Sequence, residues 1–275
     1  MSPLWEKLSA TLVDRVHAFD GIAGFCVRDL TDGTEIGYRA DQVFPAASTI
    51  KVHILATLLE RAEAGELALD ERIAITPELK VAGSGVLTYL ENPVELVLFD
   101  IAVLMILVSD NTATNICIER AGMERVNQLI GRLGLEGTQL RRLMQDRVAI
   151  LAGRENVSTP ADLVATLAAL YAHKPSEVVA SRALEVLAKS KPTPLRLAIP
   201  AGVRLSHKTG RMPQVRNEVG IVHLERRPYA IAVMSHFDRA DDAEQDAFVS
   251  DLARITHQHM ALLAASTDLG QGLPA

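Results

Sequence analysis

Three short groups of residues in this 275-residue chain have the types and spacing that chemistry on an acyl group requires. The first is Ser48-Thr49-Ile50-Lys51, set between Phe44-Pro45-Ala46-Ala47 and an apolar run. Its hydroxyl and ammonium stand three positions apart at an expected helix start, and at that spacing two groups share one helical face. A serine is a weak nucleophile until a neighbour takes its proton, and a lysine with a lowered pKa can do that. A helix start adds free backbone N–H groups that can stabilise a developing oxyanion. Serine is also a favoured helix cap, so this motif alone leaves a capping serine and a surface lysine as the alternative.

The second group is Ser109-Asp110-Asn111, which follows an apolar stretch. Ser109 and Asp110 can cap the next helix. Beyond capping, a hydroxyl at Ser109 can relay a proton, and the Asn111 amide can orient a substrate carbonyl. The third is His207-Lys208-Thr209-Gly210, at the end of an expected strand over 203–207. Lys208 and Thr209 suit recognition of a carboxylate, and Gly210 lets a ligand backbone come close. The alternative is a lysine that protects a strand edge.

The elements that hold these groups can be read from periodicity. Leu4, Leu8, Leu12, Val16 and Phe19 predict an amphipathic helix over 3–19, ended by Gly21. Strand-like runs over 22–30 and 34–39 flank the turn Thr31-Asp32-Gly33. From Thr49 to about Lys191 the pattern is mainly helical, with candidates at 49–64, 98–106, 111–121, 123–133, 160–172 and 180–189. Strands are expected again over 203–207, 217–224 and 229–236, then a helix over 241–265. The fold class is therefore α+β. Strands from both ends form one antiparallel sheet flanked by the N- and C-terminal helices, with an all-helical part inserted. The expected division is 1–47 plus 192–275 for the sheet part and 48–191 for the helical part, with a ligand cleft between them.

Composition narrows the function classes. A net charge of −6 gives no basic footprint for nucleic acid, and 4% aromatic content disfavours a base-stacking surface. No Cys/His cluster has zinc spacing, and no cofactor is implied. Cys26 and Cys117 lie in apolar segments, which points to buried packing, with a disulfide between them left open. His53 is expected in the core, and His207 in strand packing or a pocket wall. The segment from Met1 to Lys7 shows no basic region followed by an apolar one. As written the chain reads as cytoplasmic, or as exported if a leader has been removed. No apolar run is long enough to span a bilayer.

Ser-x-x-Lys, Ser-Asp-Asn and Lys-Thr-Gly occur here in that order, with first residues 61 and 99 positions apart. The set resembles that of class A β-lactamases and penicillin-binding proteins. The similarity to the class A family extends over nearly the whole chain, including Phe44-Pro45 and Thr112-Ala113. The resemblance implies a serine acyl hydrolase acting on a small-molecule β-lactam. Ser48 would attack the lactam carbonyl, and Lys51 would accept its proton. Ser109 would relay a proton to the departing nitrogen. Asn111 would bind the substrate's side-chain amide, and Lys208 and Thr209 its carboxylate, beside Gly210. The backbone N–H groups of Ser48 and Arg211 would form the oxyanion hole.

The chain departs from the family in two places. The family's deacylating glutamate, usually within Glu-x-x-Leu-Asn, has no match between Arg142 and Pro160. Asp146 lies closest to where it would fall, Glu155 lies late in the loop, and a third reading assigns neither. After the Lys-Thr-Gly group, Arg211-Met212-Pro213 replaces the family's small residues. Arg211 or Arg216 can add positive charge for a carboxylate, with a surface role expected for Arg216. Three functions follow: a β-lactamase, a hydrolase of another ester or amide, and a penicillin-binding protein that is acylated without turnover. Oligomeric state is not legible in the sequence.

Overall fold

Trp5, Leu8, Leu12 and Val16 form the buried stripe of helix α1 (Pro3–His17). A hairpin follows, β1 (Ile22–Asp29) and β2 (Glu35–Tyr38), paired antiparallel. The chain then makes a two-residue strand β3 (Phe44–Pro45), a 3-10 turn over Ala47–Ile50, and α2 (Lys51–Glu63). Next come the ribbon β4 (Arg72–Ile75) and β5 (Val94–Val97), and the helices α3 (Leu98–Leu107), α4 (Asn111–Ala121), α5 (Met123–Arg132) and α6 (Arg147–Leu151). Strand β6 (Val157–Ser158) leads to α7 (Pro160–Tyr171), α8 (Glu177–Leu187) and α9 (Pro194–Ala198). Three long strands, β7 (Leu205–Met212), β8 (Val215–Val222) and β9 (Tyr229–His236), precede the closing helix α10 (Asp242–Ala264). The computed structural model describes residues 3–189, 191–239, 241–267 and 270–273, so Met1, Ser2 and the last two residues lie outside them.

The sheet has the order β2-β1-β9-β8-β7, antiparallel throughout, so strands from both ends of the sequence meet at the β1–β9 pair. Its two faces serve two cores. Phe25, Val27, Ile231 and Val233 pack with Trp5, Leu8, Phe248 and Leu252 of the terminal helices. Cys26, Val219, Ile221 and Ala232 pack with Leu55, Met105, Ile116 and Leu167 of the inserted helices. The sheet is thus the middle of three layers, and all eight positions of β8 are buried. That explains a strand in which Arg216, Asn217 and Glu218 break the apolar run: they are inside the molecule, at its functional seam. Cys26 and Cys117 belong to the same core and are free thiols. No helix among the described residues is long and apolar enough to cross a membrane.

The inserted part is helical in bulk but also contains β4–β5 and the β3–β6 pair. Such short pieces, like α6 and α9, carry too few residues to show a period. Strand β7 runs on to Met212, so Lys208-Thr209-Gly210 sit inside the strand and not at its end, because β8 pairs with it through Met212↔Val215. The helix expected over 180–189 begins earlier, at Glu177, where Ser176 caps it by accepting from the Val179 N–H at 3.2 Å.

Candidate active site

Ser48 lies in the 3-10 turn that precedes α2, and neither the turn nor the helix has a side-chain cap. The capping alternative for Ser48 therefore falls away. The turn is held from the sheet side instead. The Asn217 amide donates to the carbonyls of Pro45 (2.8 Å) and Ala46 (3.1 Å). Gly210 lies so close that a Cβ there would stand 3.1 Å from the Ala46 oxygen, the Ala47 Cβ and the Ser48 nitrogen alike. This is the physical need for glycine in the third group. Ala47, with φ at 47°, is strained to expose Ser48, at a cost of roughly 1 kcal/mol or more.

Lys51 opens α2 and is fully buried, unlike the surface lysine of the alternative reading. Its Nζ donates to the Ser109 carbonyl (2.7 Å), the Ser109 hydroxyl (3.1 Å) and Asn111 Oδ1 (3.3 Å). Burial pushes its pKa down to about 7, against an opposing pull from Asp110. Lys208 approaches from β7, and its Nζ donates to the same Ser109 hydroxyl at 3.1 Å. Burial, and then the charge of Lys51, hold it well below the ordinary lysine range. The three motifs thus meet at one oxygen. Ser109 stands in left-handed backbone with φ at 55°, which turns its carbonyl and hydroxyl towards the two lysines.

Asp110 anchors that geometry. It caps α4 by accepting from the Ala113 N–H (2.9 Å), and its other oxygen accepts from the N–H groups of Val86 (2.6 Å) and Leu87 (2.8 Å). It thereby ties the loop Ala82-Gly83-Ser84-Gly85 over the site, where a Cβ on Gly85 would collide with it at 2.2 Å. The Asn111 amide donates to the Ala82 carbonyl at 3.1 Å. A cavity of about 410 Å³ opens beside Ser48, lined by Ser84, Asn111, Met144, Ile150, Met212 and others. A second lobe of about 240 Å³ is lined by Ser48, Ser109, Thr209, Arg211 and Arg216.

The Beta-lactamase enzyme family profile matches residues 3–260. The chain belongs to the beta-lactamase enzyme family. It is similar to a beta-lactamase from Sphaerobacter thermophilus, at 31% identity and a TM-score of 0.86 over 94% of this chain and 98% of that one. It is also similar to PBP-A, at 28% identity and a TM-score of 0.83 over 92% of this chain and 95% of that one. Among curated relatives, the Beta-lactamase regulatory protein BlaB of Streptomyces cacaoi is 26% identical, covering 90% of this chain and 96% of BlaB. The fold and the serine-hydrolase class implied by the three motifs accordingly hold for this member of the family.

The loop from Arg142 to Pro160 differs from the sequence expectation. Asp146 is not among the residues lining either lobe. It caps α6, accepting from the Ala149 N–H at 2.9 Å. Glu155 does line the larger lobe, but Arg142 holds its carboxylate at 2.5 Å. The loop residue aimed at the larger lobe on the α4 side is Met144. Its backbone N–H donates to Asn115 Oδ1 (2.8 Å), and its carbonyl accepts from the Asn115 amide (3.1 Å). Neighbouring Gln145 takes a φ of 62° and also lines the lobe.

On the opposite wall, Arg216 is 3% exposed and paired with Asp246, contrary to the surface role expected for it. It is buried because β8 lies between β7 and β9, with α10 covering its start. Glu218, opposite Thr209 in the β7–β8 register, is buried as well. Burial raises its carboxyl to about 7, while Thr209, Lys208, Arg216 and Lys191 pull it the other way. His207 points to the far side of β7 and His53 meets Thr166 at 2.9 Å, so neither joins the site. Sequence reading missed Ser84, Asn217 and Met144. Gly83-Ser84-Gly85 carried a signal in its paired glycines, whereas Asn217 and Met144 sat in runs that look like ordinary strand and loop.

Proposed function

We propose that Ser48 is acylated by a β-lactam and that the acyl-enzyme is hydrolysed slowly. The observation that carries this reading is the convergence of Lys51 and Lys208 on the Ser109 hydroxyl, at 3.1 Å each. At neutral pH a substantial fraction of Lys51 is the free amine, which can take the Ser48 proton as the Ser48 Oγ–carbonyl bond forms. The backbone N–H groups of Ser48 and Arg211 stabilise the oxyanion. As the C–N bond breaks, the proton returns through the Ser109 hydroxyl to the departing nitrogen. Lys208 and Thr209 receive the substrate carboxylate, and Asn111 its side-chain amide.

Slow hydrolysis is supported by the loop. Among the described residues, Glu155 is the one carboxylate lining the larger lobe, and Arg142 engages it. A general base must first be within reach of the attacking water and free to accept its proton. A relative points the same way: a PBP-A mutant is known as an acyl-enzyme complex with penicillin-G. The second reading, a hydrolase of non-lactam esters or amides, is favoured by Arg211, Met212 and Pro213, which reshape the cavity wall.

The test mixes the protein with a chromogenic cephalosporin and with benzylpenicillin and follows turnover and intact mass. A persistent adduct, absent in Ser48→Ala, with slow turnover is the expected result. Neither adduct nor hydrolysis would leave the non-lactam reading.

A further inference from the structure

The second lobe has an unusual electrostatic design. Arg211 and Arg216 are direct cross-strand partners on β7 and β8, and both line it beside Ser48. Like charges placed opposite each other repel. Two carboxylates one turn apart on α10 answer them: Asp242 pairs with Arg211, and Asp246 pairs with Arg216. The pairs differ in burial. Arg211 and Asp242 are 51% and 66% exposed, whereas the Arg216 side chain is 4% exposed and Asp246 is 44% exposed. Asp246 itself lines the lobe. The lobe is therefore cationic in its strands and already carries an internal anion where a substrate carboxylate would sit.

We propose that Asp246 is a specificity-determining residue that competes with the substrate carboxylate for Arg216. The proposal rests on the acylation of Ser48 argued above. A substrate anion entering the lobe meets Lys208 and Thr209 on one side and the Arg216–Asp246 pair on the other. To use Arg216 it must displace Asp246 or accept its repulsion. The chain thereby weakens its grip on carboxylate-bearing acyl donors relative to neutral ones of the same shape. Discrimination of this kind is set by a repulsive group as much as by an attractive one. The partly exposed Asp246 can swing to solvent, whereas the buried Arg216 cannot, so the carboxylate is the mobile partner of the exchange.

The experiment compares benzylpenicillin with its methyl ester. Second-order rate constants for acylation of Ser48 are read by intact mass in the wild type, Asp246→Asn and the double variant Asp246→Asn/Arg216→Gln. In Asp246→Asn the acid-to-ester ratio of rate constants should rise about five- to tenfold, and in the double variant it should fall back. Where Asp246→Asn does not fold, Asp242→Asn on the more exposed pair provides the same comparison, with a rise of about twofold. An unchanged or lowered ratio, with adducts still forming, overturns the proposal and leaves Asp246 a purely structural counter-charge. Absence of adducts with both probes in the wild type instead removes the acylation reading, and this proposal with it.

Discussion

Lys51 sets the clearest single-residue expectation. Burial brings its pKa to about 7, so the free amine predominates above that pH, and acylation of Ser48 should accelerate as pH rises through about 7. Rate constants measured from pH 5.5 to 9 check this, and a flat profile would remove Lys51 as the base. The same shift affects folding. Between about 7 and the ordinary lysine value of 10.5 the unfolded chain binds more protons, so this group adds stability as pH rises across that window. Met144 gives the complementary case. It is pinned by Asn115 and faces the larger lobe, so Met144→Glu should place a carboxylate where deacylation needs one. Turnover should rise about 10²-fold, the lower end for general-base catalysis, with acylation little changed. Asp146→Ala, by contrast, should cost about 1 kcal/mol through the lost cap of α6 and leave turnover per folded molecule unaltered. Steady-state kinetics beside thermal melts separate the two outcomes; a steep loss of turnover in Asp146→Ala would restore that residue to the mechanism.

Among the elements, the 3-10 turn and β7 depend on each other. Gly210→Ala would put a methyl group 3.1 Å from two backbone atoms of the Ser48 turn, and backbone yields less readily than a flexible side chain. We expect about 1–3 kcal/mol of destabilisation and at least a tenfold loss of acylation, read from melts and adduct formation. An unchanged acylation rate would mean that the turn moves freely. The long elements were legible because period and burial agree: Trp5, Leu8, Leu12 and Val16 announce α1, and the alternation near Tyr229 announces β9. The motif serines and lysines were legible by type and order. What escaped was whatever tertiary context decides. Arg216 reads as a surface charge until three layers bury it, and Asp146 reads as a base until α6 starts on it. Asn217 looks like a strand residue, yet its amide holds the nucleophile's turn.

Across the whole molecule, the site is a seam between the sheet and the inserted helices, and the seam is stitched by polar contacts: Lys51 and Lys208 to Ser109, Asn217 to the Ser48 turn. Little in these bonds suggests that substrate entry needs the layers to part. The two buried thiols offer a clock for that question. Cys26 lies in β1 and Cys117 in α4, and burial raises the pKa of both, the latter to about 12. Neither should react with a thiol reagent until its surroundings open. Because both belong to one apolar cluster, they should be labelled at the same opening-limited pace, and both should slow together once Ser48 is acylated. Rates more than about tenfold apart would reveal layers that breathe separately. Two cysteines with no part in the chemistry would then report whether this enzyme opens as one body or two.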